Sequence, residues 1–198
     1  MFFTAVREKP KATVDRAALF EGLIRDTNKQ AYSLAYRLTG NAAEAEDLVQ
    51  ESFLRAYRFF HRYDESLPFT SWLYRIMTNA HIDMVRRRGR IKTTSIENAG
   101  TDGTTAWDLP DHEAAPDRAM MLNTMEEPVQ KALMSMTAEF RTAVLLADVE
   151  GLAYEEVAEI MNTSVGTVRS RIHRGRKQIR THLLKHAPQT YGSLCDEL

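Results

Sequence analysis

Apolar residues recur along this chain at three- and four-residue intervals and almost nowhere in strict alternation, so the pattern predicts helices throughout. Leu19, Leu23 and Ile24 set a helix from about Val14 to Asp26. Ala31, Leu34, Ala35 and Leu38 set a second segment from Asn28 to Thr39, and Gly40 ends it in the left-handed position glycine favours. Asn41 and Glu44 have the spacing of a capping box for the next predicted helix, which runs from residue 42 to 62. Its apolar stripe is Ala45, Leu48, Val49, Ser52, Phe53, Ala56, Tyr57 and Phe60, and its other face carries Glu46, Asp47, Gln50, Glu51, Arg55 and Arg58.

A turn-rich loop, Tyr63-Asp64-Glu65-Ser66-Leu67-Pro68, precedes a helix over 71–90 with Thr70 or Ser71 as its cap. Trp72, Leu73, Ile76, Met77, Ala80 and Val85 suit a core, and the helix ends in Arg86, Arg87, Arg88, Arg90 and Lys92. Residues 93–116 lose all periodicity, gain glycine, threonine, proline and acids, and contain an isolated Trp107, so they read as a linker. Helical period returns from about Asp117. Pro128 fits the first turn of a helix in which Val129, Ala132, Leu133 and Met136 pack. Thr137 is placed to cap a helix over 138–150 with Phe140, Val144, Leu145 and Val149 inward, ended by Gly151.

The next stretch has the densest local pattern. A helix over 154–161 places Val157, Ala158 and Met161 on one face, Asn162-Thr163-Ser164 breaks it, and a second helix over 165–183 turns Val165, Val168, Ile172 and Ile179 inward. Asn162 suits a left-handed C′ residue and Ser164 an N-cap. Two helices joined by three or four residues form the helix-turn-helix pattern. The predicted fold class is all-α: two small helical domains joined by a flexible acidic linker, the second with a helix-turn-helix. The divisions fall at a flexible N-terminal tail 1–13, a first domain 14–92, the linker 93–116, a second domain 117–184 and a C-terminal tail 185–198.

Charge changes the picture once it is resolved along the chain. The 198 residues carry a net charge of −1. No acidic residue lies between Ile160 and Cys195, an interval holding Arg169, Arg171, Arg174, Arg176, Lys177, Arg180 and Lys185. A basic second helix is an electrostatic footprint for phosphate, and arginines near its start can reach guanine edges. A plain solvated helix face would share the charge without explaining the turn. In the first domain the basic end of 71–90, beside aromatics and a loop, suits single-stranded nucleic acid; the alternative places Trp72 and Tyr74 in the core and the arginines at a helix C-terminus. For Asp47, Gln50 and Glu51 taken alone, an ordinary solvated surface is the competing reading.

Composition excludes several classes. The single cysteine, Cys195, permits no intramolecular disulfide and fits a reducing compartment. The longest wholly apolar run is Ala143–Ala147, and the start lacks the apolar core of a signal peptide, so the expectation is a soluble cytoplasmic protein without membrane insertion. No nucleotide loop, catalytic triad or close metal cluster occurs, so neither catalytic residues nor a cofactor or metal are expected. His182 and His186 at i, i+4, with Cys195 beyond, are the one conceivable metal or redox group, and exposed pairs of this kind usually face solvent.

Two blocks of sequence, residues 31–90 and 133–182, resemble the second and fourth conserved regions of extracytoplasmic-function (ECF) RNA polymerase sigma factors. The segments carrying the resemblance are Ala45-Glu46-Asp47-Leu48-Val49-Gln50-Glu51-Ser52-Phe53, Phe69-Thr70-Ser71-Trp72-Leu73-Tyr74-Arg75-Ile76, Asp148-Val149-Glu150-Gly151-Leu152 and Val165-Gly166-Thr167-Val168-Arg169-Ser170-Arg171-Ile172-His173-Arg174. The resemblance implies that Asp47, Gln50, Glu51 and Leu54 dock on core RNA polymerase. It implies that Arg62, Asp64, Phe69, Trp72, Tyr74, Arg75, Asn79, Asp83 and Arg86 open and hold the single-stranded −10 element of promoter DNA. Arg169, Ser170, His173 and Arg174 would face the −35 duplex, with Ser164, Thr167, Arg171, Arg176 and Arg180 on its phosphates. An anti-sigma factor is a further implied partner. The sequence departs from the family pattern at Ala153, where a serine cap is usual, at Thr137, where a proline is usual, and at Ser164, where a proline is usual. A helix-turn-helix regulator that binds DNA alone is the rival reading, and residues 42–90 discriminate against it.

Overall fold

The computed structural model describes residues 16–98 and 125–196, with side chains at 16–88 and 125–192. The N-terminal tail, Trp107, the restart of helical period at Asp117 and the Cys195 side chain lie outside the described residues. Among the described residues every regular element is helical, in two bundles. The first comprises α1 (Arg16–Thr39), α2 (Ala42–Phe59), a 3-10 turn (Phe60–Arg62) and α3 (Phe69–Asn98). The second comprises α4 (Glu127–Met134), α5 (Ala138–Val144) running into a π-helical turn (Leu145–Val149), α6 (Tyr154–Ile160), α7 (Val165–His186) and α8 (Pro188–Asp196).

The predicted break at residues 26–28 does not occur, and α1 is one helix. Thr27, the position left between the two expected segments, is buried and donates its hydroxyl to the Leu23 carbonyl at 2.6 Å, so the junction is absorbed into the helix and the core. Gly40 ends α1 at φ +69°, and a Cβ there would lie 2.7 Å from Met134 Sδ. The backbone there favours glycine, while the Met134 side chain packed over it could shift to admit a Cβ. Asn41 accepts the Glu44 amide at 3.1 Å, as its spacing predicts, while the Glu44 carboxylate accepts from Arg88, two-thirds of the way along α3. α3 begins at Phe69, earlier than Thr70 or Ser71 can cap it, and continues to Asn98, into the stretch read as linker.

The first bundle closes on Ala31, Leu34, Ala35, Leu38, Ala45, Leu48, Leu73 and Met77, all nearly inaccessible. Its loop end is sealed by rings: Phe20 and Phe60 are 4.9 Å apart, Tyr63 and Trp72 5.3 Å, Tyr63 and Phe69 5.4 Å. The second bundle packs α5 on α7. Gly175 is the contact point, since a Cβ there would sit 2.5 Å from Val144 Cγ2. Val149, expected inward, is 38% exposed, because the π turn at 145–149 shifts the helical register before Gly151 (φ +71°). In the stretch read as a short C-terminal tail, α7 runs on to His186, and α8 packs against it.

Helix caps in the second bundle are of mixed quality. Thr137 occupies the N-cap of α5 without a side-chain bond. Ala153 occupies the N-cap of α6, where the Glu156 carboxylate already accepts the Ala153 amide at 2.9 Å, one half of a capping box. Ala153→Ser supplies the other half and is expected to stabilise the second bundle by about 1 kcal/mol. A thermal melt of that variant unchanged from wild type would show that the hydroxyl does not reach the α6 amides.

Candidate polymerase and nucleic-acid surfaces

On α2, Asp47, Gln50, Glu51 and Leu54 are all exposed, and Leu54 is 67% accessible. Glu51 is bonded to Arg55 one turn on, at 2.6 Å. Asp47, Glu51 and Arg55 line one side of a groove of about 340 Å³ whose other side is Ala80, Asp83, Met84, Arg87 and Arg88 of α3. Two residue sets given separate roles by the resemblance thus share a groove: Asp47 and Glu51 on one wall, Asp83 on the other.

The loop after α2 is held by its own bonds. Asp64 accepts the Ser66 amide at 3.0 Å, and Tyr63 donates its hydroxyl to the Leu67 carbonyl at 2.6 Å. The bond from Ser66 holds the Asp64 carboxyl below its usual range, and partial burial followed by Glu65 and Asp64 pushes the Tyr63 phenol up. Arg62, Asp64, Arg75, Asn79, Asp83 and Arg86 are exposed around this loop and along α3. Phe69 is not: its ring belongs to the core, 5% exposed, and Trp72 is half-buried against it at 5.6 Å.

Tyr74 is also buried, at 3% exposure, but by the second domain. Its hydroxyl donates to Glu150 Oε2 at 2.6 Å, and Arg37 reaches Glu150 Oε1 at 3.3 Å. Burial, reinforced by the Glu150 carboxylate, raises the Tyr74 pKa well above its usual value. Nearby, Gln130 donates to the Tyr36 and Arg37 carbonyls at 3.4 Å each, and Arg86 lies 3.8 Å from Glu139. Arg141 is buried and donates to the Leu133, Met134 and Met136 carbonyls of its own domain and to the Leu38 carbonyl of the other. His81 is buried close to Arg141, and neither of its ring nitrogens has a hydrogen-bond partner among the described residues. None of Arg37, His81, Arg141 and Glu150 was a candidate from sequence. The sequence signal available for Arg141 is its place between Phe140 and the apolar run Ala143–Ala147, on a helix expected to bury that run.

In the helix-turn-helix, Asn162 takes φ +48° between α6 and α7, and Ser164 accepts the Thr167 amide at 3.1 Å as the α7 cap. Arg169, Ser170, His173, Arg174 and Arg180 are exposed on α7, and Thr167 and Arg171 are partly covered. Arg176 grips Asp148 through two bonds of 2.9 and 2.5 Å, which raise its pKa and fix it to the turn before α6. Ser164 and Arg176 thus serve the domain's own architecture. The basic α7 flank continues into a groove of about 520 Å³ lined by Arg174, Lys177, Lys185 and the half-exposed His182, whose ring lies 4.4 Å from that of His186. No His/Cys/Asp/Glu group able to hold a metal occurs among the described residues, and none of their helices is long and apolar enough to cross a membrane.

A helical bundle with an acidic and apolar helix face, joined to a bundle with a basic recognition helix, defines the class: a two-domain helix-turn-helix protein. Residues 23–91 match the family described as Sigma-70 region 2, and residues 126–179 match Sigma-70, region 4. The chain is 43% identical over 185 residues to the ECF RNA polymerase sigma factor SigE of Mycolicibacterium smegmatis, covering 92% of this chain and 69% of that one. It is 34% identical to ECF sigma factor SigW of Bacillus subtilis, covering 90% and 94%. The fold is similar to that of the sigma factor RpoE solved in complex with the anti-sigma factor NepR from Bartonella quintana, with a TM-score of 0.62 at 22% identity over 83% of this chain and 96% of that one. The chain belongs to the ECF sigma factors, and is therefore a transcription initiation factor.

Proposed function

We propose that the α2 face of Asp47, Gln50, Glu51 and Leu54 docks on core RNA polymerase. The observation that carries this is the face itself: Leu54, 67% exposed, lies one turn from the carboxylate of Glu51 and two from that of Asp47, an apolar contact bordered by charge of the kind a protein partner covers. The self-bonded loop 63–68, with Arg62, Arg75, Asn79, Asp83 and Arg86, holds the opened −10 strand, since unstacked bases need preformed pockets more than catalysis. Arg169, Ser170, His173 and Arg174 read the −35 duplex, and Thr167, Arg171 and Arg180 hold its phosphates. The protein works by binding, in the cytoplasm, without a chemical step of its own.

The packing of the two domains bears on this reading. Tyr74 faces the second domain, so for it to meet DNA that domain must leave α3. An anti-sigma factor, the partner of RpoE in the similar solved structure, is the protein expected to act on that equilibrium. Charge reversal at Asp47→Arg with Glu51→Arg is expected to abolish binding to core polymerase and promoter-dependent transcription together. Core binding that survives both reversals would remove α2 as the docking face.

A further inference from the structure

α2 ends on an aromatic ring that the core does not use. Phe59 is 38% exposed and takes no part in the ring contacts of Phe20, Phe60, Tyr63, Phe69 and Trp72. The guanidinium carbons of Arg58 and Arg62 lie 5.8 and 5.4 Å from its ring centroid. Glu51, Arg55 and Phe59 follow one another at four-residue spacing and so share a face. The first two line the α2–α3 groove. Because Glu44, at the start of α2, pairs with Arg88 far along α3, the two helices run antiparallel and Phe59 stands at the loop end of that groove.

We propose that Phe59 is a stacking platform for an unpaired base of the promoter strand, with Arg58 and Arg62 taking the phosphates beside that base. This deepens the reading given above and rests on its assignment of the neighbouring loop to the −10 strand. Bases bind single-strand proteins by stacking on aromatic faces over cations that track the backbone, and the cluster of buried rings offers no such face. Phe59 does. The two guanidiniums now resting near it make an exposed cation–π contact, which is weaker than a base on an aromatic ring, and each gains a charge-assisted bond on moving to a phosphate.

Charge decides the occupant. The part of α2 assigned to polymerase carries Asp47 and Glu51 around Leu54, whereas the ring at its end is flanked by Arg58 and Arg62. Arg55, between the two, is neutralised by Glu51. The nearest loop acid, Asp64, is turned into its own loop by the Ser66 amide. One helix therefore presents an acidic, apolar stretch suited to a protein and a basic, aromatic end suited to a nucleic acid.

The test uses holoenzyme reconstituted from core polymerase and each variant, with a fluorescein-labelled single-stranded oligonucleotide of mixed sequence followed by anisotropy and core alone as baseline. Phe59→Ala is expected to weaken oligonucleotide binding about tenfold with core affinity unchanged. Phe59→Trp restores it, and Phe59→Leu, which keeps apolar area but no π face, does not. Oligonucleotide binding by the alanine variant equal to wild type, or full rescue by leucine, overturns the proposal. So does a loss of core affinity, which would make Phe59 a polymerase contact. Asn79→Ala in the same assay separates the two readings: if it binds normally while Phe59→Ala fails, the α3 assignment falls and the platform stands; the reverse result removes the platform alone.

Discussion

Replacing Arg141 by methionine is expected to cost about 3 kcal/mol of stability, the largest effect of any single substitution considered for this protein. The side chain is 6% exposed, and its guanidinium meets the last carbonyls of α4, Leu133 and Met134, the Met136 carbonyl in the turn beyond, and the Leu38 carbonyl near the end of α1. The last carbonyls of a helix have no partner within it, and a cation there is doubly placed, by hydrogen bonds and by the helix dipole. Methionine fills much of the volume but satisfies none of these oxygens. Burial lowers the Arg141 pKa to about 10, so the side chain stays charged at neutral pH. Lysine keeps the charge and loses the fork, so Arg141→Lys should recover only part of the loss. Urea unfolding of the three proteins checks the order. A methionine variant within 1 kcal/mol of wild type would mean that water replaces the guanidinium at those carbonyls, at about the strength of an ordinary exposed bond.

The features legible in sequence are those fixed by a few neighbouring residues. Asn41 and Ser164 cap where their spacing places them, Asn162 and Gly40 take positive φ, and the α6–turn–α7 unit has the periodicity that predicts it. The surface residues of α2 and α7 could be named because a helical face is a local property. The contacts that close the two domains on each other could not. Arg37, Tyr74 and Glu150 are brought together by packing, and no spacing rule links positions so far apart; Glu150 reads locally as one more acid before a glycine. The same holds for Thr27, which falls between two expected segments until the core around it is built, and for α8, whose sequence carries proline and glycine but which gains a surface by lying on α7. Phe69 and Tyr74 show the limit of carrying roles over by resemblance. The motif places them correctly in the helix, while the tertiary structure turns one ring into the core and covers the other with the second domain.

That covering contact is polar where most domain cores are not. Glu150 is held by a phenol and a guanidinium, both themselves largely buried, and Gln130 and Arg141 reach across to backbone carbonyls. Polar contacts of this kind fix one orientation of two surfaces while gaining little net energy over the same groups in water. They suit a joint that must be specific when closed and still open when a better partner arrives for α3. By contrast the exposed Arg86–Glu139 pair, at 3.8 Å, adds little to the closure.

His81 should make the protein acid-sensitive before its carboxylates do. The imidazole is 1% exposed, has no hydrogen-bond partner at either nitrogen among the described residues, and has Arg141 and Arg88 as its nearest charges. Burial first, then the two arginines, lowers its pKa from 6.5 to about 4. The sign follows from proton counting. Above pH 6.5 the ring is neutral in both folded and unfolded chains and contributes no pH dependence. As the pH falls below 6.5 the unfolded chain takes up a proton that the folded one refuses, so unfolding is favoured until the folded ring also protonates near pH 4. Between pH 6.5, where the unfolded ring is half protonated, and pH 5 this amounts to about 1.5 kcal/mol, since the slope reaches 1.36 kcal/mol per unit only below pH 6. His81→Leu, which fills the site without a titrating group, should therefore lose about 1.5 kcal/mol less than wild type when urea melts at pH 6.5 and pH 5 are compared. Equal losses in the two proteins would show that His81 gains a proton in the folded state as readily as in the unfolded one, and would overturn this reading of its burial.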